Sequence, residues 1–252
     1  MRKRLILRIQ NATFMKVVLL HGFGETAGIW EDFIPLLPDK FQYITLDYSK
    51  ITFCQSIEEY ADWVHFEMDK KHITRFVLIG HSMGGYISLA YARKYADYLA
   101  GLGLFHSTTY TDSDEKKVSR DNTIRFIEKH GAVEFIEDFL PNMYNDAYKK
   151  ENKIMIQQQL KDNQEIPAKA LIAATKAMRE RPDTSEVLKK LEIPVLLIAG
   201  KQDKFISFAA SLEQVAMCKH PYALMLNHIA HAGMHEAPSL CAELVSEFLK
   251  NI

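Results

Sequence analysis

Six short apolar runs, each of strand length, punctuate the chain: Lys16–Leu20, Gln42–Leu46, Phe76–Gly80, Leu99–Phe105, Pro194–Ala199 and Tyr222–Leu226. They are continuous rather than alternating, the pattern of strands buried on both faces of a parallel sheet. Between them lie segments with apolar residues at helical spacing, including Ser56–Lys71 and Met83–Tyr95. A last amphipathic segment, about Ser239–Lys250, places Leu240, Leu244, Val245, Phe248 and Leu249 on one face. Strands alternating with helices predict an α/β fold: a mostly parallel central sheet with helices on both faces.

The alternation stops between about Tyr110 and Asp183. This stretch carries only helical patterns, such as "NTIRFIEKHG", "AVEFIEDFL" and "PAKALIAATKAMRER", punctuated by Gly131, Pro141 and Pro167. A helical run of that length does not join a sheet. It predicts an insertion, 110–183, sitting as a cap over the carboxyl ends of the strands, where ligands bind in open α/β sheets. The core is then 1–109 together with 184–252. The start, "MRKRLILRIQ", is basic, but its apolar run is too short for a secretory signal. It reads as an exposed start and a short edge strand, with translation from Met15 as the alternative.

Composition narrows the function classes. With 252 residues, 48% of them hydrophobic, the chain can bury a sizeable core. A formal net charge of -1 leaves no electrostatic footprint for nucleic acid. No run approaches the roughly 20 apolar residues of a membrane span. Cys54, Cys218 and Cys241 are odd in number and widely spaced, which favours a reducing, cytoplasmic setting over a disulfide framework and offers no metal motif.

The chemistry begins at Gly80-His81-Ser82-Met83-Gly84, a G-x-S-x-G pattern between a strand and a helix. A sharp strand-to-helix turn strains the serine backbone and crowds the residues two before and two after it, which glycine tolerates. Ser82 is the candidate nucleophile. It needs a base, and the base an orienting acid. Asp203, just past the strand ending at Ala199, is the candidate acid. The base lies among His228, His231 and His235, and periodicity does not choose between them. The N–H groups of Met83 and Phe23 are candidate donors to an oxyanion. In His21-Gly22-Phe23-Gly24 the glycines allow close approach, so Gly22 is a candidate substrate contact. His81 either lines the pocket as a second contact or packs beneath the loop. The loop lacks the spacing of dinucleotide or phosphate loops.

With these motifs the chain resembles the α/β-hydrolase superfamily over nearly its whole length. "HGFGE" is similar to that family's oxyanion loop, "GHSMGG" to its nucleophile elbow and "IAGKQDKFIS" to its acid loop, in the order Ser, Asp, His. "AHAGMHEAP" is similar to its histidine segment, and the resemblance selects His231. Two departures stand out: Ala230 replaces a glycine, and "LDYSKIT" keeps Asp47 without the usual glycine-rich turn. The resemblance implies a serine hydrolase needing no metal or organic cofactor, acting on a small-molecule ester of a small or medium acyl group. Thioesterase, lactonase, C–C bond hydrolase and cofactor-free haloperoxidase share the triad, and a non-catalytic ligand receptor can retain it.

Overall fold

The computed structural model describes residues 14–252; the expected edge strand before Met15 lies outside the described residues. Six strands form one sheet: β1 (Lys16–Leu20), β2 (Gln42–Leu46), β3 (Phe76–His81), β4 (Leu99–Phe105), β5 (Val195–Gly200) and β6 (Pro221–Leu226). Their order is β2-β1-β3-β4-β5-β6, and every pair is parallel. The order reverses between β1 and β3, so the loops leaving these strands diverge and open a crevice at their carboxyl ends. Leu20 pairs with Gly80, His81 with Phe105, and Phe105 with Ile198. This register sets the loops after β1, β3, β4 and β5 side by side.

All residues of β3, β4 and β5 are buried, as continuous apolar runs require. The equally apolar β2 and β6 are only partly buried. They are the edge strands, so position in the sheet and not composition sets their exposure.

The expected helices form as α1 (Ile57–Lys70) and α2 (Met83–Tyr95). Ser56 caps α1, accepting from the Glu59 N–H at 3.2 Å. The insertion holds α3 (Asp114–His130), α4 (Ala132–Phe139), α5 (Asp146–Glu151), α6 (Lys153–Asn163) and α7 (Ala168–Glu180), followed by α8 (Ser185–Lys190). No strand lies between β4 and β5 among the described residues. Helices α5, α6 and α8 escaped the sequence reading because α5 and α8 are short and α6 is weakly amphipathic. After β5 come α9 (Phe208–Met217), α10 (Gly233–Glu236) and α11 (Pro238–Lys250).

The buried face of α11 differs from the expected one. It consists of Cys241, Ala242, Val245, Phe248 and Leu249, whereas Leu240 is 52% exposed. Val245, Phe248 and Leu249 are buried as expected, and the Phe248 ring lies where a Cβ on Gly101 of β4 would come within 2.8 Å of it.

The insertion meets the sheet's carboxyl end through α4. Phe135 and Phe139 pack on Phe23 of the loop after β1, and Phe139 also packs on Phe205 of the loop after β5. Among the described residues, no helix is long and apolar enough to cross a membrane.

Candidate active site

Ser82 stands at the junction of β3 and α2 with φ 50° and ψ −113°, a conformation a non-glycine residue adopts only under constraint. The constraint comes from the neighbouring strand. Ser82 N–H donates to the Phe105 carbonyl at 2.9 Å, and the Ser82 carbonyl accepts from Ser107 Oγ at 2.7 Å. The turn brings Gly80 against Gly84 so closely that a Cβ on Gly80 would sit 2.1 Å from the Gly84 carbonyl group. The two glycines of the motif are therefore one steric contact.

Asp203 and His231 meet above the sheet. His231 Nδ1 donates to Asp203 Oδ2 at 2.6 Å. The other carboxylate oxygen accepts from the N–H groups of Phe205 (2.8 Å) and Ile206 (3.0 Å). Burial opposes ionisation of Asp203, but the charge of His231, its hydrogen bond and the neighbouring His106 outweigh it. The carboxyl is held well below the usual range.

The tertiary structure also chooses among the three histidines. His228 is exposed, and its carbonyl accepts from Asn145 Nδ2. His235 is tied to Tyr144 at 2.9 Å and to the Ile29 carbonyl at 3.1 Å. Only His231, 2% exposed, reaches Asp203. Its backbone is pinned on both sides, N–H to the Met143 carbonyl and C=O to His81 Nε2, each at 2.8 Å. Glu236 holds the same loop through the N–H groups of Ala230 and Ala232. Among the described residues neither Ser82 Oγ nor His231 Nε2 has a protein hydrogen-bond partner, so both polar atoms stay available.

No sequence signal pointed to His106, the residue that follows β4. Its Nε2 accepts from the Gly233 N–H at 3.1 Å, so the proton sits on Nδ1, which faces Asp203 Oδ2 at 3.3 Å. Burial lowers its pKa to about 4, leaving it neutral. Asp203 thus stands between two imidazoles. Ligand atoms of His106, Asp203 and His231 lie within 4.8 Å of one another. His231 Nδ1, however, directs its proton at the carboxylate, and both Asp203 oxygens already accept protein N–H groups, which suits a hydrogen-bonded acid better than a metal site.

Among the described residues, the N–H groups of Phe23 and Met83 have no protein acceptor. The loop carrying Phe23 is fixed from below by Glu25, another residue the sequence did not single out. Glu25 Oε2 accepts from Gly22 N–H at 2.7 Å and from His81 Nδ1 at 2.8 Å. His81 therefore packs beneath the loop, with acceptors at both ring nitrogens, as an imidazolium requires. It presents no free polar atom to a ligand.

Burial opposes both charges, yet the His81 charge lowers the Glu25 pKa and the Glu25 charge raises that of His81. Glu25 is depressed, so its contribution holds above about 4.5 and is lost as pH falls through its folded value. His81 is raised, so its contribution is full below about 6.5 and is lost as pH rises through its folded value. Glu25→Gln should destabilise the protein near the low end of roughly 3–5 kcal/mol, because His81 can shed its proton. The melting-temperature gap between wild type and variant should be widest between these two pKa values and narrow toward alkaline pH. A gap that does not vary with pH would contradict the ion pair.

Comparisons with known proteins fit this geometry. A family model for the alpha/beta hydrolase fold matches residues 16–114, and one for serine hydrolases (FSH1) matches residues 152–245. A thermophilic esterase from Thermogutta terrifontis superposes with a TM-score of 0.87 at 26% identity, covering 94% of this chain and 89% of that one. The chain belongs to the α/β-hydrolase superfamily. Other members include an uncharacterized hydrolase, YugF, of Bacillus subtilis, 26% identical over 96% of this chain and 92% of its own length. The pimeloyl-[acyl-carrier protein] methyl ester esterase of Vibrio atlanticus is 23% identical over 91% of this chain and 93% of its own. Within this superfamily, Ser82, Asp203 and His231 occupy the loops after β3, β5 and β6.

Proposed function

We propose that this protein hydrolyses carboxylic esters of small or medium acyl groups through an acyl-enzyme on Ser82. The observation that carries the reading is the strained Ser82 backbone beside a buried Asp203–His231 pair, since strain of about 1–3 kcal/mol is retained where it serves a site. Ser82 Oγ attacks the ester carbonyl and its proton passes to His231 Nε2. The oxyanion is held by the N–H groups of Phe23 and Met83. Asp203 keeps the Nδ1 tautomer and stabilises the imidazolium, and His106 steadies Asp203. Collapse expels the alcohol, which takes the proton from His231. Water, deprotonated by His231, then releases the carboxylic acid and restores Ser82. The insertion, 110–183, serves as the cap, and Phe139, between Phe23 and Phe205, forms part of the ceiling. Three free cysteines support a cytoplasmic setting.

Two esterases among the relatives support ester over amide substrates. The test is hydrolysis of para-nitrophenyl esters from acetyl to decanoyl. Turnover should peak at one chain length, with a first-turnover burst of one nitrophenolate per chain wherever deacylation is the slower step. Absence of turnover on the whole series would reject the ester reading.

A further inference from the structure

A second cavity, of about 280 Å³, flanks the site between the first turn of α3 and the loop after β5. Its wall includes Tyr86, Asp112, Lys116, Arg181, Phe205 and Ser207. Tyr86 lies one helical turn past Ser82. The Phe205 ring packs against His231 at 4.9 Å, and Lys116 Nζ stands 6.0 Å from the same ring. One aromatic ring thus separates the cavity's ammonium group from the catalytic histidine.

Of the charged side chains lining this cavity, Lys116 has no direct ion-pair partner among the described residues. Arg120 and Arg181 both bind Asp112, at 3.0 and 2.8 Å. Arg181 also donates to the Met178 and Tyr110 carbonyls and stacks on Tyr86 at 4.0 Å. It is only 6% exposed, yet its Nε has no acceptor. Lys116 is half-buried, and among the described residues no carboxylate lies within 4.0 Å of its Nζ. Burial, and then the neighbouring positive charges, push its pKa below the ordinary lysine value. Lys116 is thus left without a directly paired carboxylate, beside two arginines that are both bound to Asp112. A half-buried ammonium without a counter-ion is unfavourable, and an arriving anion would relieve it.

We propose that this cavity is a subsite for a carboxylate carried on the substrate, with Lys116 as its counter-ion and the side chains of Arg181 and Ser207 as its wall. A monoanion matches the single unpaired ammonium better than a phosphate dianion does, because both arginines are committed to Asp112. The inference rests on the ester-hydrolase reading for the reaction, but not for the binding.

The experiment pairs the mono-para-nitrophenyl ester of glutaric acid with para-nitrophenyl pentanoate, an uncharged ester of equal carbon count. Wild type should favour the glutarate ester in kcat/KM by about tenfold or more, as expected for a desolvated charge pair. In Lys116→Met the preference should collapse toward unity, chiefly through KM, and in Lys116→Arg it should persist. Separately, free glutarate should bind Ser82→Ala in calorimetry and lose that binding in Ser82→Ala/Lys116→Met. Lys116-dependent glutarate binding without turnover of either ester would reject the ester reading and keep the subsite. Turnover of both esters with no glutarate preference, or a preference that survives Lys116→Met, would overturn the subsite and leave the ester reading standing.

Discussion

Ser82→Ala should lower turnover of the best para-nitrophenyl ester by about 10⁴- to 10⁶-fold and leave the protein folded. The size follows from what is removed. Without Oγ there is no acyl acceptor, and His231 has no proton to take. What survives is the pair of N–H groups at Phe23 and Met83 and whatever the cavity contributes to binding. The fold is expected to stand because Oγ has no protein partner among the described residues, so its loss strands no buried group. Residues that act as a unit are not additive, so Ser82→Ala/His231→Ala should be no slower than Ser82→Ala alone. Activity within tenfold of wild type in Ser82→Ala would move the chemistry elsewhere.

Gly80→Ala should be the most damaging single methyl added to the elbow. The new Cβ would lie 2.1 Å from the Gly84 carbonyl carbon and oxygen and 2.4 Å from Gly85 N. These are backbone atoms at the start of a helix whose first ten residues are buried, so no side chain can swing aside. Overpacking of this kind costs about 1–3 kcal/mol where the core can yield, and more where it cannot. Roughly 3 kcal/mol or more is expected here, read as a lowered denaturation midpoint at unchanged slope. Gly28→Ala is the contrast: its Cβ would meet two side-chain ends, Thr26 Oγ1 at 3.3 Å and Glu31 Oε1 at 3.8 Å, and its effect should stay within about 0.5 kcal/mol. Equal stability of the two variants would show that the Gly80–Gly84 contact does not constrain the turn.

The tie from the elbow to the histidine loop runs through His81. It is the residue before Ser82, and its ring bonds the His231 carbonyl on one side and Glu25 on the other. The loop after β1, the turn at Ser82 and the loop of His231 are thus tied by one buried ion pair. Gly200 adds a second constraint, since a Cβ there would lie 2.2 Å from the Ala230 carbonyl. Both contacts hold His231 by its backbone, which leaves its ring free to exchange protons.

Short-range signals sufficed for the sheet strands, for α1 and α2 and for the G-x-S-x-G turn at Ser82. Those signals are local. Burial on both faces writes a continuous apolar run, and a tight turn writes glycine at fixed offsets, because the clash it relieves is between residues four apart. The same locality explains the misses: edge and central strands look alike in composition, and helical periodicity does not see which neighbours cover a helix, so Leu240 of α11 stays exposed. The resemblance of the histidine segment already pointed to His231; what contacts between distant loops add is its reach to Asp203, the place of His106 on the acid's other side and the partners of Glu25. Each of these rests on a contact between residues far apart in the chain, 28 positions for Asp203 and His231 and 56 for Glu25 and His81. No spacing rule encodes such a pair. It is fixed when parallel strands set their carboxyl-end loops side by side, and burial then makes an unpaired charge too unfavourable to leave without a partner.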